Sequence, residues 1–377
     1  MIITSHLVLV SGQAVPNITP ALDDGFKPKH IVMLVSSDMD LRADWLESVY
    51  KKRGIKCSRH YIKDAWDIEH IRDRVLDLIT QYDEGSLALN ATGGTKPMSI
   101  AAYEVFRDLH RPVFYVHPEQ DRVIWLYPSE QAGQALADRI KLPEFFQAYG
   151  ATITDQGDKL GVPATYRELT EEIINRIAYY AKALGSINYL AQLATGRLSV
   201  ELNAQQMADM FLADLIALFS VNNLVRLEKN KLIFADEAAR FYVNGGWFEQ
   251  HVYGLCLNIK KQAGIQDIGR SVQVDRQHQN KPIRNELDVT FLKDNRLYII
   301  ECKTKRYSAN DQGAGADTLY KLDTLKDLLG GLQAKAMLIS FTELGDYDKQ
   351  RAGDLNISLC CYKQLPKLSE HLLRWIK

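Results

Sequence analysis

Strand-like runs alternate with amphipathic helical segments over the first 150 residues, and this alternation restricts the fold more than any other feature. The runs lie at 6–10, 30–36, 56–63 and 86–90, and helical spacing of apolar residues occurs at 41–53 and 68–82. Strands that alternate with helices are typical of a mainly parallel, doubly wound sheet with helices on both faces. Two further runs, 113–116 and 122–126, predict a terminal hairpin. We therefore expect an α/β domain over 1–150.

The loop after the fourth run is rich in groups that attract anions. It spans residues 90–99, at the carboxyl end of a strand, where ligands of such sheets bind. Gly93 and Gly94 allow the backbone to approach a ligand closely. Thr95 is a predicted N-cap of a helix whose first free amides attract anions, and Lys96 adds a positive charge. The spacing differs from a P-loop and from a dinucleotide fingerprint. A phosphate site is predicted, and a tight structural turn is the alternative.

Residues 151–245 predict a helical spacer. A turn-rich stretch at 154–163 marks a boundary, and amphipathic helices are expected from Thr170 onward and at 207–220. Two short runs within 224–234 predict a small hairpin after these helices. Helices followed by a hairpin are similar to a winged helix, which can contact DNA. The segment 207–220 contains no Arg or Lys, and this favours a spacer over a DNA-binding element.

The C-terminal part contains a second strand pair with charged residues at its end. The runs 285–288 and 297–304 are joined through a predicted turn at 293–296. Side chains of a strand alternate between two faces, so Glu301 and Lys303 project together.

By the same rule Glu286 and Asp288 share a face of the first strand. Pairing of the two strands therefore predicts that Asp288, Glu301 and Lys303 form one cluster. Two carboxylates beside an ammonium group can hold a divalent metal ion and position a water molecule. This arrangement points to metal-dependent phosphodiester hydrolysis.

The alternative for these charges is a solvated strand face with a weak ion pair. The flanking run Leu297 to Ile300 is too apolar for an exposed strand, and a partly buried carboxylate needs a partner or a metal ion. A helix beginning near Trp247, after two glycines, offers Glu249 as a further acid. A surface acid stabilised by the helix dipole is the alternative for Glu249.

The overall charge excludes a global basic field, because the formal net charge is −1. Nucleic-acid binding must then come from a local patch, for which the candidates are Arg270, Arg276, Lys281, Arg284, Lys305 and Arg306. The five cysteines show no C-x-x-C spacing, so neither a structural zinc site nor a disulfide framework is predicted. No basic leader precedes the first strand, and the apolar run 210–221 is too short to span a bilayer. A cytoplasmic protein without membrane contact is expected.

Two resemblances follow from these residues. The strand pair resembles the PD-(D/E)xK nuclease superfamily, with Asp288 as the first acid and Glu301-Cys302-Lys303 as its E-x-K motif. The Thr92-Gly-Gly-Thr-Lys96 loop resembles the ligand loop of CARF domains, the Rossmann-like sensors of CRISPR-associated proteins. In this order, and over nearly the whole chain, the two are similar to the type III CRISPR ancillary nucleases activated by cyclic tetra-adenylate.

The resemblance implies a homodimer whose sensor domains hold the cyclic oligoadenylate across a two-fold axis, which suits an isologous dimer. It also implies that the loop residues Thr92, Gly93, Gly94, Thr95 and Lys96 bind the ligand through its phosphates. Ser11, Asn17 and Ser37 are expected to contact ribose or adenine. The implied division is a CARF domain at 1–150, a winged-helix-like spacer at 151–245 and a restriction-endonuclease-like α/β domain at 246–377.

For the catalytic centre, the resemblance implies that Asp288, Glu301 and the Cys302 carbonyl bind one or two Mg²⁺ or Mn²⁺ ions. Lys303 is expected to orient the attacking water, with Glu249 and Glu286 as further acids. The expected activity is an allosterically activated endonuclease that cleaves or nicks DNA in antiviral defence, with RNA open as a second substrate.

Two alternatives remain at this point. One is a DNA-binding regulator that responds to the cyclic nucleotide through the central helices. The other is an enzyme that mainly degrades the cyclic nucleotide.

Overall fold

A computed structural model of the chain describes residues 3–157, 164–278, 281–304 and 315–377. The described residues form sheets of seven, three and six strands. The N-terminal elements are β1 Ser5–Leu9, α1 Val15–Leu22, β2 His30–Ser36, α2 Asp40–Lys52, β3 Lys56–Ile62, α3 Ile68–Ile79, β4 Leu87–Asn90, α4 Lys96–Asp108, β5 Val113–His117, β6 Arg122–Tyr127, β7 Gln134–Ala135, α5 Leu142–Ala148 and β8 Ala151–Asp155.

The seven-stranded sheet has the order β3-β2-β1-β4-β5-β6-β7. β1 to β5 are parallel, and β6 and β7 are antiparallel additions, which confirms the predicted doubly wound sheet with a terminal hairpin. The strand order reverses between β1 and β4, and the loops after these two strands meet at this switch point. Ligands of open α/β sheets bind in the crevice at such a position.

The middle elements are α6 Ala164–Asn175, α7 Ile177–Leu193, β9 Ser199–Glu201, α8 Ala204–Met207, α9 Met210–Val221, β10 Val225–Glu228, β11 Lys231–Phe234 and α10 Glu237–Phe241. The helix expected from residue 207 begins at Met210, because the Asp209 carboxylate accepts hydrogen bonds from the amides of Phe211 and Leu212 and caps it. Helices packed on the small sheet β10-β11-β9 agree with the predicted winged-helix-like form.

The C-terminal elements are α11 Trp247–Ala263, β12 Asp267–His278, β13 Lys281–Lys293, β14 Arg296–Lys303, α12 Ala316–Gly330, β15 Lys335–Ser340, α13 Asp346–Asp354, β16 Ile357–Cys361 and α14 Leu368–Ile376. The sheet order is β16-β15-β14-β13-β12-β8. β8 thus belongs to this sheet, although its residues fall in the expected spacer. The turn-rich stretch that predicted a boundary begins within β8.

The N-terminal and C-terminal sheets share one apolar core. Val8, Ile31 and Met33 of the first sheet belong to the same buried cluster as Leu297 and Leu338 of the last one. Helix α5 lies between the two sheets, with Phe145 and Phe146 in this cluster. None of the described helices is both long and apolar enough to cross a membrane.

Candidate active site and ligand loop

The strand pair β13–β14 carries the predicted cluster. The strands are antiparallel with Val289 opposite Ile300, so Asp288 and Glu301 lie beside each other at the end of the pair. Asp288 Oδ2 accepts a hydrogen bond of 2.7 Å from the Cys302 amide. This bond fixes the Asp288 carboxylate against the neighbouring strand, as the predicted pairing requires.

Glu301 is a buried carboxylate between two ammonium groups. Only 3% of its surface is exposed. Lys303 Nζ lies 2.5 Å from Glu301 Oε1, and Lys321 Nζ of α12 lies 3.9 Å from the same oxygen. The Glu301 charge is therefore offset by cations on β14 and α12, which excludes the solvated strand face as a description of this residue.

Helix α11 brings Glu249 to the same cluster. Glu249 lies in its first turn, and its Oε2 accepts a hydrogen bond of 3.3 Å from Ser271 Oγ of β12. Gly245, just before the helix, has a φ of 113°, and a Cβ there would lie 2.6 Å from Thr304 Oγ1. Only glycine permits this approach between the start of α11 and the end of β14.

Two acids of the cluster, Glu249 and Asp288, have raised pKa values, so they bind a proton or a cation more readily than exposed carboxylates do. Burial, followed by the nearby Glu286 charge, raises the pKa of Glu249 from 4.5 to about 7. Burial and the charges of Glu301 and Glu249 raise the pKa of Asp288 well above its usual range. Burial opposes the charge of Lys303, but Glu301 and Asp288 outweigh it and raise the pKa of that ammonium group. Glu286 itself is exposed at the rim of the cluster.

These residues fit a hard divalent cation. Carboxylate oxygens are the donors that Mg²⁺ and Mn²⁺ prefer. A cation would relieve the mutual repulsion that adds to the effect of burial on the Asp288 pKa. Within the described ranges, no group of three or more His, Cys, Asp or Glu side chains is arranged to hold a metal ion. The expected ligand set differs from such a group, since it has two carboxylates and the Cys302 carbonyl.

The ligand loop between β4 and α4 is held tightly from both sides. Thr95 caps α4, because its Oγ1 accepts a 3.2 Å bond from the Met98 amide, and it donates a 2.7 Å bond to the Ala65 carbonyl. A Cβ on Gly93 would lie 2.1 Å from the Leu9 carbonyl oxygen, and Gly94 has a φ of 74°. Both glycines are therefore required by the backbone.

The side chains expected to contact a ligand fall into two groups. Ser37 and Lys96 are exposed, and Ser11 is partly buried in the loop after β1. Thr92 Oγ1 is already engaged, donating to Asn90 Oδ1 at 2.7 Å and accepting from the Val116 amide at 2.8 Å.

Asn17 differs from the expectation. It lies in α1 rather than in a loop, is 1% exposed, and donates a 3.2 Å hydrogen bond to the Leu9 carbonyl. Its Oδ1 accepts a bond of 3.3 Å from Asn90. Asn17 therefore holds the two loops together, and its side-chain amide is engaged in these contacts. The sequence signal for this buried position is that Asn17 is the third residue of a short apolar helix, α1.

The residues predicted to form a basic patch are not all on the surface. Arg270 is buried with its guanidinium over the Tyr253 ring, and Arg284 pairs with Asp275 at 3.1 Å. Arg276 is half-buried and Lys281 is exposed. Lys305 and Arg306 lie outside the described residues. Among the four candidates that the structure describes, burial thus removes Arg270 from the exposed patch.

Two family profiles match the chain. The Card1 CARF domain profile matches residues 5–145, and the Card1-like endonuclease domain profile matches residues 235–377. Fold and site therefore define a sensor domain joined to an endonuclease domain. The chain belongs to the Card1-like family of CARF endonucleases, and the predicted order of sensor and nuclease is confirmed. No curated protein matches the chain.

Solved structures agree with this assignment. Protein VC1899 from Vibrio cholerae is 32% identical, with a TM-score of 0.89 over 99% of this chain and 97% of that one. Can2 from Sulfobacillus thermosulfidooxidans, in complex with cyclic tetra-adenylate, is 25% identical, with a TM-score of 0.83 over 99% of both chains. A type III CRISPR defence DNA nuclease activated by cyclic oligoadenylate is 16% identical, with a TM-score of 0.57 over 92% of this chain and 46% of that one, which indicates the fold alone.

Proposed function

We propose that this protein is a metal-dependent endonuclease of type III CRISPR defence, acting on DNA in the cytoplasm and activated by cyclic tetra-adenylate. The observation that carries the proposal is the buried pair Asp288 and Glu301 beside Lys303, at the end of β14 in a chain of the Card1-like endonuclease family.

Each residue of the centre has a separate task. Asp288, Glu301 and the Cys302 carbonyl would hold Mg²⁺ or Mn²⁺, which lowers the pKa of a bound water and neutralises charge on the phosphate. Lys303 donates hydrogen bonds to the attacking water and to the phosphate oxygens, where negative charge increases in the transition state. The Cys302 amide keeps the Asp288 carboxylate oriented through their hydrogen bond.

Glu249 and Glu286 complete the acidic surface. Glu249 is close enough to Asp288 to raise its pKa, so we assign it to the acidic surface beside the two carboxylates that would hold the cation. Glu286 is exposed and contributes charge at the rim. Lys321, near the same Glu301 oxygen, is available to contact the scissile phosphate.

The sensor loop has the chemistry of a cyclic oligoadenylate site. Exposed Lys96 and the backbone of Gly93, Gly94 and Thr95 at the start of α4 suit phosphate oxygens. Ser11 and Ser37, at the ends of neighbouring strands, are assigned to ribose or adenine. A homodimer would place two such loops around one ring, and the Can2 complex with cyclic tetra-adenylate supports this ligand.

The test is a cleavage assay on single-stranded DNA, duplex DNA and RNA. Each substrate is incubated with Mn²⁺, Mg²⁺ or EDTA, with and without cyclic tetra-adenylate, and the ligand is analysed for breakdown. We expect cleavage of DNA that requires both metal and ligand and is lost in Glu301→Gln. Equal cleavage by the wild type and Glu301→Gln would refute the assigned centre. Ligand breakdown without nucleic-acid cleavage would favour a degrading enzyme.

A further inference from the structure

The turn that joins β13 to β14 is buried against the sensor domain. Asn295, in this turn, is 0% exposed. Its Nδ2 donates hydrogen bonds to Asp121 Oδ2 and, at 3.4 Å, to Asp138 Oδ1, and both acceptors belong to the sensor domain. Hairpin turns are usually solvated, and a buried amide remains favourable only while its hydrogen bonds are made.

Further bonds lock the same turn to the sensor. Gln266 accepts a 2.9 Å bond from the Asn295 amide and donates bonds of 2.9 Å to Asn295 Oδ1 and 3.0 Å to the Ile140 carbonyl. Arg296 Nη2 donates a bond of 3.1 Å to the Pro118 carbonyl, just after β5. The turn is thus held at two segments of the sensor domain, 118–121 and 138–140, by side chains on both sides of the boundary.

A cavity connects this turn with the ligand loops. It has a volume of about 230 Å³, and its walls include Gln13 and Thr92 from the loops after β1 and β4 together with residues 294–296 of the turn. Thr92 also accepts the bond from Val116 of β5, the strand that leads to Pro118. A displacement of the β4 loop therefore has a short path of direct contacts to the hairpin turn.

The hairpin itself is rigid between the turn and the catalytic end. Its register is continuous from Lys293 opposite Arg296 to Val289 opposite Ile300, and Phe291 and Ile299 are fully buried. Glu301 lies five residues after Arg296 on β14, which is about 17 Å along the strand at the usual rise per residue. Packed elements of this kind shift as units between discrete positions and do not bend continuously.

We propose that Asn295 is the positioning residue through which the sensor domain sets the placement of the catalytic hairpin. The inference rests on the proposed function and adds the route of regulation. Ligand binding at the loops after β1 and β4 changes how Asn295 and Arg296 seat on the sensor, and the hairpin carries that change to Asp288 and Glu301. Asn295 contacts no substrate and acts only through the hairpin.

The test uses Asn295→Gly in the full-length protein. Asn295 has a φ of 53° and follows Asp294 at 48°, and Asp-Gly is a favoured sequence for such a two-residue turn. Glycine therefore removes the interdomain amide without straining the hairpin. The matched control is Asn223→Gly, an exposed asparagine with a φ of 57° outside this interface.

Three quantities are measured on each protein: affinity for cyclic tetra-adenylate, the ratio of cleavage with and without it, and ligand-dependent hydrogen exchange in β13 and β14. For Asn295→Gly we expect an activation ratio at least about tenfold lower, with ligand affinity within about twofold of the wild type. The ligand-dependent exchange change in β13 and β14 is lost. Asn223→Gly behaves as the wild type.

A full activation ratio and a full exchange response in Asn295→Gly would overturn the inference. Hydrogen exchange separates this outcome from a failure of the proposed function. If the wild type cleaves nothing, the nuclease assignment fails, but a ligand response of β13 and β14 that depends on Asn295 still supports the coupling. A wild-type protein that binds ligand without any response in these strands contradicts it.

Discussion

Buried carboxylates occur in two regions of the molecule that differ in their partners. At the catalytic end, Asp288 and Glu301 lie beside Lys303, with an ammonium nitrogen 2.5 Å from a carboxylate oxygen. At the domain boundary, Asp121 accepts a hydrogen bond from the neutral amide of Asn295. Burial raises the pKa of Asp121 from 3.8 to about 7, with Asp138 and Asp294 adding to the shift against Asn295 and Arg296.

The difference shows what each region is suited to bind. Buried carboxylates that face each other hold protons tightly, and a divalent cation can take the place of those protons. At the domain boundary, burial and the nearby acids Asp138 and Asp294 favour the neutral form of Asp121, and the Asn295 amide offsets part of this effect. The first arrangement suits catalysis with a metal ion, and the second suits a contact between domains.

The largest expected difference between the two regions is in cleavage activity, which variants at the proposed catalytic end should lose. Glu301→Gln and Lys303→Ala should each lower ligand-activated cleavage by on the order of 10³-fold, because the first removes a proposed metal ligand and the second removes a positive charge that acts on the reacting phosphate. Cyclic tetra-adenylate binding, measured by calorimetry, should be unchanged. Asp121→Asn is the control, because it keeps an oxygen that can accept the Asn295 hydrogen bond, and it should retain metal-dependent cleavage.

Metal binding should distinguish the regions without any substrate. Mn²⁺ at 1,000 times its dissociation constant should stabilise the wild type by about 4 kcal/mol, since the proposed site is assembled only in the folded protein. Thermal unfolding is measured with Mn²⁺ or EDTA. Asp121→Asn should keep this stabilisation and Glu301→Gln should lose most of it. An equal response of all three proteins would place the cation elsewhere.

A smaller loss of stability, confined to the region of the acid cluster, is expected where the start of α11 lies close to the end of β14. Gly245→Ala should lower the free energy of unfolding by about 2 kcal/mol, because the new methyl group collides with Thr304 at a positive φ. Denaturant unfolding measures the change. Gly185→Ala in α7, where a Cβ meets nothing within 4 Å, should be neutral or slightly stabilising. Similar losses in both variants would reject the steric argument.

The smallest effect, when taken per pH unit, is the pH dependence from Asp121. Its folded pKa of about 7 exceeds the usual 3.8, so the protonated form is favoured by folding. Its stabilising contribution is complete below about pH 4 and is lost as the pH rises to 7, with a slope of at most about 1.4 kcal/mol per pH unit. Unfolding free energies of the wild type and Asp121→Asn between pH 4 and 8 should show a shallower slope in the variant. Parallel curves would contradict this sign.

Local patterns allowed much of this structure to be predicted. The parallel sheet followed from strand and helix periodicity, and the cap at Thr95 and the glycines of the ligand loop followed from residue types within one turn. The strand pair could be predicted because Asp288 and Glu301 lie close in sequence, on two consecutive strands whose side chains alternate between faces. These features depend on neighbours along the chain.

Contacts between distant segments could not be predicted. Nothing near Ala151–Asp155 indicates that it pairs with β12, more than a hundred residues later. The bond from Ser271 to Glu249 and the buried position of Asn17 depend on how whole elements pack. Asn295 was predicted only as a turn residue, because its partners Asp121 and Asp138 lie in another domain.

The apolar cluster that runs from β1 and β2 through α5 to β14 and β15 limits how such proteins can change in evolution. An exchange of this sensor for an unrelated one would leave Leu297, Ile299 and Leu338 without the side chains that cover them. Recombination at this boundary would therefore expose apolar surface unless the new sensor supplied a matching apolar face.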